Sequence, residues 1–307
     1  MLAPDRVRGP FLSEVLPMYK LRGVLQAYPW MPAPVFVGAG VIYVLALRGR
    51  VQPGVLFLSA LVWVACAFLS GRFLRIAVQW PRLASLHRTD YSAVWDALST
   101  TPDTAARAAA GYSDEKDLRA TGEEVACRIA DAIGLQPSEN VLEIGCGVGR
   151  IGWAMAPRSH AWTGCDISAN MIAHASRRLA GLANVRFVHL QRCDLSQIAD
   201  SSVDVVYCTN ALAHMDQNER FQYVHDAYRI LRPRGRLYID TVALDSPQGW
   251  TMVENNLAQV KSGLKPPPYI PTPSTPDELL AYFARAGFAE RRGEIRDSLL
   301  MVTGVKQ

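Results

Sequence analysis

The sequence predicts an α/β fold in its second half, a parallel sheet with helices on both faces, preceded by a two-helix hairpin suited to a membrane. Three observations carry this. Apolar strand-like runs alternate with helical patterns from Val141 onward, the first of those runs leads into a cluster of glycines, and two long uncharged runs lie near the N-terminus. The composition fits. The 307 residues are 50% apolar and 20% charged, with a mean hydropathy of +0.05, which excludes disordered, collagenous and disulfide-scaffold classes.

The formal net charge of +4 is unevenly spread. Residues 1–89 hold ten Lys/Arg against two Asp/Glu, leaving 22 against 26 in the remainder. A basic first third thus precedes an acidic globular part. Of the six cysteines (Cys66, Cys127, Cys146, Cys165, Cys193 and Cys208) none forms a CxxC pair, so neither a zinc site nor a disulfide framework is indicated. They read as small buried thiols in a reducing compartment.

The elements follow in order. Residues 1–26 form a basic N-terminal segment, and residues 27–71 read as a transmembrane helical hairpin. No charge falls between Gly23 and Leu47 or between Val51 and Gly71, and RGRVQPG supplies the turn. A helix needs about 20 residues to cross a hydrocarbon core of about 30 Å, which the second run meets. The first meets it if it begins near Tyr28-Pro29-Trp30. In-plane interfacial helices and buried helices of a soluble domain are the alternatives. Between Glu14 and Asp90 there is no acidic residue and there are eight basic ones. The basic flanks place both ends of the hairpin in the cytoplasm, at the cell membrane, although the turn is itself basic.

Residues 72–117 read as an amphipathic juxtamembrane segment followed by linker or lid helices. Phe73, Ile76, Ala77, Trp80 and Leu83 share one helical face and Arg72, Arg75 and Arg82 another, and residues 90–122 form one or two short Ala-rich helices. From residue 118 to 307 the pattern is a single α/β domain. Strands are expected at Val141–Ile144, Trp162–Cys165, Val185–Leu190, Val203–Cys208, Leu237–Val242, Phe288–Gly293 and Ser298–Thr303, seven in all. Helices are expected over Glu123–Ile133, from Arg150, over Ser168–Leu179, Gln217–Leu231 and Asp277–Ala286. Residues 245–276 interrupt this rhythm with a helix near Thr251–Val260 and the stiff run KPPPYIPTPSTP, either a lid or a solvent linker.

The chemistry concentrates in Val141-Leu-Glu-Ile-Gly-Cys-Gly-Val-Gly149, an apolar strand entering three glycines that let a ligand approach the backbone. Gly147-Val-Gly149-Arg-Ile-Gly152 is also a G-x-G-x-x-G, with Asp166 19 residues beyond Gly147, so on glycines alone a dinucleotide and S-adenosylmethionine fit alike. Two features separate them. Gly147 comes two residues late for a dinucleotide fingerprint. Glu143, at the strand end, would repel a pyrophosphate, yet can order the loop or hold an ammonium group.

These residues resemble the class I S-adenosylmethionine-dependent methyltransferases, within them the small-molecule group related to the ubiquinone/menaquinone methyltransferases, over roughly residues 118–305. The resemblance implies a Rossmann-like seven-stranded methyltransferase sheet and S-adenosyl-L-methionine as cofactor. VLEIGCGVG resembles the first family motif, placing Glu143, Gly145, Cys146, Gly147 and Gly149 around the cofactor. Trp162-Thr-Gly-Cys-Asp166-Ile-Ser-Ala-Asn-Met171 resembles the second, which implies that Asp166 holds the ribose hydroxyls, with Ile167 and Met171 near the adenine or ribose. Arg192-Cys193-Asp194-Leu195 resembles the third, implying that Asp194 takes the adenine amino group beside Cys193 and Leu195. The segment from Ser202 through Asn210 to His214 resembles the fourth, at the methyl-transfer mouth. Leu231-Arg-Pro-Arg-Gly-Arg-Leu-Tyr-Ile resembles the turn into the fifth strand, but has Arg234 where glycine is usual.

His214 is the candidate general base, or alternatively a residue that shapes the pocket. Tyr112 is expected either to close over the sulfonium or simply to pack. No spaced set of metal ligands emerges. The acceptor expected from the membrane segments is a lipid or lipid-like molecule at the cytoplasmic surface. A soluble metabolite, or a catalytically idle cofactor-binding scaffold, are the alternatives. Nucleic acid is disfavoured, because the catalytic half is acidic and the fourth strand is followed by Thr-Asn-Ala-Leu rather than an N/D-P-P-Y/F motif.

Overall fold

The computed structural model describes residues 86–261 and 267–307. The expected hairpin at 27–71, the basic segment before it and residues 72–85 of the amphipathic stretch lie outside the described residues. Among the described residues no helix is long and apolar enough to cross a membrane.

Seven strands form one sheet: β1 (Asn140–Ile144), β2 (Ala161–Asp166), β3 (Val185–His189), β4 (Val203–Thr209), β5 (Leu231–Val242), β6 (Ala289–Arg296) and β7 (Leu299–Val305). Their order is β3-β2-β1-β4-β5-β7-β6. β1 to β5 are parallel, and β7 runs antiparallel to both β5 and β6. The chain leaves β1 in one direction and resumes at β4 on its other side. The carboxyl ends of β1 and β4 therefore form the switch point where open α/β sheets bind ligands.

Because side chains alternate along a strand, each sheet face has its own core. Leu142, Ile144, Val206, Cys208, Leu237 and Ile239 pack on one side with Tyr223, Val224 and Phe283. Val141, Val205, Tyr207 and Tyr238 pack on the other with Ala126, Ile129, Met155 and Trp162. Each fully buried Leu or Ile contributes roughly 1.5–3 kcal/mol relative to exposure.

The helices that position the site are α1 (Tyr91–Leu98), α2 (Pro102–Ala110), α3 (Glu115–Ile133), α4 (Gly152–Met155), α5 (Ala169–Arg178), α6 (Gln217–Ile230), α7 (Pro247–Lys261) and α8 (Pro276–Ala286). α3 starts two turns before the expected Glu123. The Asp114 carboxylate accepts from the amides of Lys116 and Asp117 and so caps the helix at an acidic first turn. α5 is capped by Ser168, whose Oγ accepts from Met171 N at 3.1 Å, which leaves Asp166 to other partners. α4 is a single turn that tightens into a 3-10 turn over Ala156–Arg158, where Pro157 cannot continue it. β5 begins at Leu231, six residues before the expected Leu237, because Leu231 already pairs with Val203 ahead of an irregularity between Val203 and Val205. Arg234 adopts φ +66°, the left-handed conformation that the usual glycine would take without strain.

Candidate active site

A cleft opens at the carboxyl ends of β1, β2 and β4. β1 ends at Ile144 and passes directly into Gly145, so the glycine loop begins there and not at Gly147. Gly145 has φ +69°, and a Cβ on it would stand 2.6 Å from that of Ala211. Only glycine fits this close approach. Gly147 has φ +52° and donates its N–H to Asp166 Oδ2 at 2.9 Å.

Asp166, the last residue of β2, also accepts from Ser168 N at 2.9 Å through Oδ1. It is buried. Burial pushes its carboxyl up to about 6, against the lowering effect of the two amides. Each carboxylate oxygen has a further lone pair, so this group lining the cleft retains acceptor capacity for hydroxyls.

His214 lies in a 3-10 turn (Ala211–His214) just after β4. Its Nδ1 is 2.7 Å from the carbonyl of Tyr269, so Nδ1 is the protonated nitrogen and Nε2 the acceptor. Trp95 meets the ring edge-on at 4.9 Å. Burial first, then the positive charges of Arg88 and Arg220, lower its pKa to about 4, so the ring is neutral at ordinary pH.

The two arginines tie this turn to a strap, residues 267–275. Arg88 donates to Asp216 Oδ1 at 2.7 Å and to the carbonyl of Ile270 at 2.6 Å. Arg220 donates to the carbonyls of Leu212 and Thr272, both at 3.0 Å, and to Ser274 Oγ at 2.8 Å. The strap lies directly on the His214 turn: Thr272 N donates to the Ala213 carbonyl at 2.8 Å. Of the expected lid segment, this half packs on the His214 turn.

Eight of the sequence-predicted residues line the cleft: Gly145, Gly147, Asp166, Ile167, Met171, Cys193, Asn210 and His214. Six do not. Glu143 points to the other face of β1, where its Oε2 accepts from the Tyr207 hydroxyl at 2.7 Å, and Trp162 Nε1 donates to that hydroxyl at 2.9 Å. The ordering of the loop expected of Glu143 is performed by Asp166. Burial pushes the Glu143 carboxyl up to about 8. Cys146 is buried in the core on that same face. Gly149 sits against Leu179 and Ala175 of the α5 region. Asp194 turns back on its own loop, accepting from Ser196 N at 3.1 Å and Ser196 Oγ at 2.6 Å; this bonding holds its carboxyl below the usual range. Leu195 is core. Tyr112 bonds to the Thr121 hydroxyl, and Tyr91 and Trp95 supply the aromatic wall instead.

Tyr91, Trp95, Ala109, Met215 and Tyr223 also line the cleft, and sequence reasoning did not single them out. Tyr91, Val94, Trp95 and Leu98 carry helical spacing, which was the available signal. The Tyr91 hydroxyl accepts from Asp216 N at 3.0 Å, fastening α1 to the His214 turn.

A glycine cradle at the end of β1, a buried carboxylate at the end of β2 and a cleft at the switch point define a class of protein, and sequence comparison agrees with it. Residues 141–235 match the family described as "Methyltransferase domain". Over these residues the chain is similar to methyltransferase domains. It is 30% identical over 162 residues to 27-O-demethylrifamycin SV methyltransferase of Amycolatopsis mediterranei, covering 50% of this chain and 58% of that one. It is 28% identical over 119 residues to phosphoethanolamine N-methyltransferase 1 of Arabidopsis thaliana, covering 38% of this chain and 24% of that one. The chain therefore spans less than two thirds of these relatives. Among solved structures, magnesium protoporphyrin IX methyltransferase of Synechocystis PCC 6803 aligns with a TM-score of 0.47 and 20% identity, over 62% of this chain and 83% of that one.

The residues present fit S-adenosylmethionine. Gly145 and Gly147 would admit its backbone-hugging portion, Asp166 would accept from the ribose hydroxyls, and Ile167, Met171 and Cys193 give apolar surface for the adenine.

Proposed function

We propose that the protein transfers a methyl group from S-adenosylmethionine to a lipid or lipid-like acceptor, and that residues 27–71 hold it at the membrane with its catalytic domain in the cytoplasm. The observation that carries the transfer reading is the placement of Asp166 and His214 in one cleft, the first at the end of β2 and the second beside Trp95. Bound there, the cofactor supplies an already activated methyl group. The chain's own part is alignment, exclusion of water and custody of a proton. The Gly145–Gly147 loop and Asp166 orient, Tyr91 and Trp95 shield, and a neutral His214 with Nδ1 fixed on the Tyr269 carbonyl offers Nε2 to an acceptor proton.

The apolar walls of the cleft and the two uncharged N-terminal runs support the lipid reading. The relatives named for rifamycin and phosphoethanolamine chemistry support a small-molecule acceptor in general. Cells with and without the full chain, grown on methyl-deuterated methionine, should differ in a labelled lipid-extract species. A label appearing only in aqueous metabolites would replace the lipid acceptor by a soluble one. Absence of label in both, with cofactor binding intact, would leave the idle scaffold.

A further inference from the structure

We propose that the outward ridge of α7 seats on a phospholipid surface. This rests on the membrane half of the proposed function. α7 is patterned inside out. Trp250, Leu257 and Val260 are 54%, 49% and 56% exposed, while the polar Asn255, Asn256 and Gln259 are half-buried. Only Gly249 and Met252 of its 15 residues are buried. With half-buried Val253, the apolar positions 250, 253, 257 and 260 fall at i, i+3, i+7 and i+10, a single stripe along the helix. A 15-residue helix is marginal in water without a packed apolar face, so this stripe calls for an occupant.

Two arguments select a bilayer. A helix of this length is ~22 Å long, so one stripe ~10 Å wide offers only ~200 Å², well short of the ~800 Å² per partner that a stable dimer buries. A helix lying in a lipid interface needs no such area, because a second element holds it there. That element is present in the chain: the uncharged run Val51–Gly71 ends 15 residues before Leu86, the first described residue. The chemistry agrees, with tryptophan suited to the headgroup level and the exposed Glu254 and Lys261 flanking the stripe. α7 and the strap that bonds to His214 belong to one insert, whose ends meet where Leu244 N donates to the Ser274 carbonyl at 2.8 Å.

The test uses the full chain in vesicles of phosphatidylcholine and phosphatidylglycerol, with a benzophenone side chain introduced at position 257 or, on the other exposed side of the helix, at position 251. Flotation reads the anchor, and mass spectrometry of the photoproducts reads α7. The expected result is flotation with lipid adducts from position 257 and a severalfold loss of them from position 251. Flotation with position 257 crosslinked into residues 27–71 or into a second copy, or with no lipid adduct, overturns the seating of α7 and leaves the anchor standing. Failure to float overturns both.

Discussion

The Tyr207 hydroxyl donates to Glu143 across 2.7 Å in the sealed layer between the sheet and α3, and this pair makes stability depend on pH. Burial raises the folded Glu143 carboxyl from 4.5 to about 8. The protonated form is therefore favoured in the native state. Its contribution is fully present below about 4.5, declines as pH rises and is lost above about 8. Asp166, raised to about 6, adds to the lower part of that decline. Glu143→Gln removes the larger titration and should flatten the stability curve between pH 5 and 8 by on the order of a few kcal/mol. Thermal melts of both proteins across that range read it; parallel curves would show that native Glu143 is ionised throughout.

Cofactor affinity should move the other way. Ribose hydroxyls donate best to an ionised Asp166, so binding of S-adenosylhomocysteine should strengthen as pH climbs through about 6 and then level off. Asp166→Asn should weaken it by about 1–3 kcal/mol and abolish the pH dependence. Calorimetry from pH 5 to 8 measures both effects together.

His214→Ala should lower turnover by about 10²–10⁴ with cofactor affinity unchanged, if the acceptor gives up a proton. Since the ring stays neutral until about pH 4, the acid limb of the rate profile should follow Asp166 and not a histidine near 6.5. On stability, a depressed histidine contributes above 6.5 and loses its contribution as pH falls through about 4. A rate loss under tenfold would assign the ring to shaping the pocket.

Arg234→Gly should stabilise the domain by about 1–2 kcal/mol, because the exposed arginine sits at φ +66° where glycine carries no steric penalty. The melting temperature should rise with cofactor binding unaltered. A fall would mean that the arginine side chain outweighs its own backbone strain.

Most strands were legible because they are short apolar runs between turn formers, the charged and exposed β6 excepted, and all seven stand within a few residues of expectation except the early start of β5. The site was legible where a motif residue ends a strand or follows one closely: Gly145, Asp166 and His214 all line the cleft. It was not legible where the decisive partner is distant in sequence. Nothing around Glu143 announces Tyr207, 64 residues away. Tyr91 and Trp95 fall in a stretch that reads as short Ala-rich helices without a strong stripe, and helical spacing alone does not say which surface it will cover.

The register of the central strands has a consequence in time. Ile144 pairs with Cys165 on one side and Cys208 on the other, so three parallel strands stop at the level where the cleft begins. Amides beneath that line exchange with solvent only when the whole sheet comes apart. The strap above it hangs on a few bonds from Arg88, Arg220 and Thr272, each of which can break singly. In deuterated water the cleft should thus show a slow floor and a fast roof, and ligand exchange should keep the roof's clock.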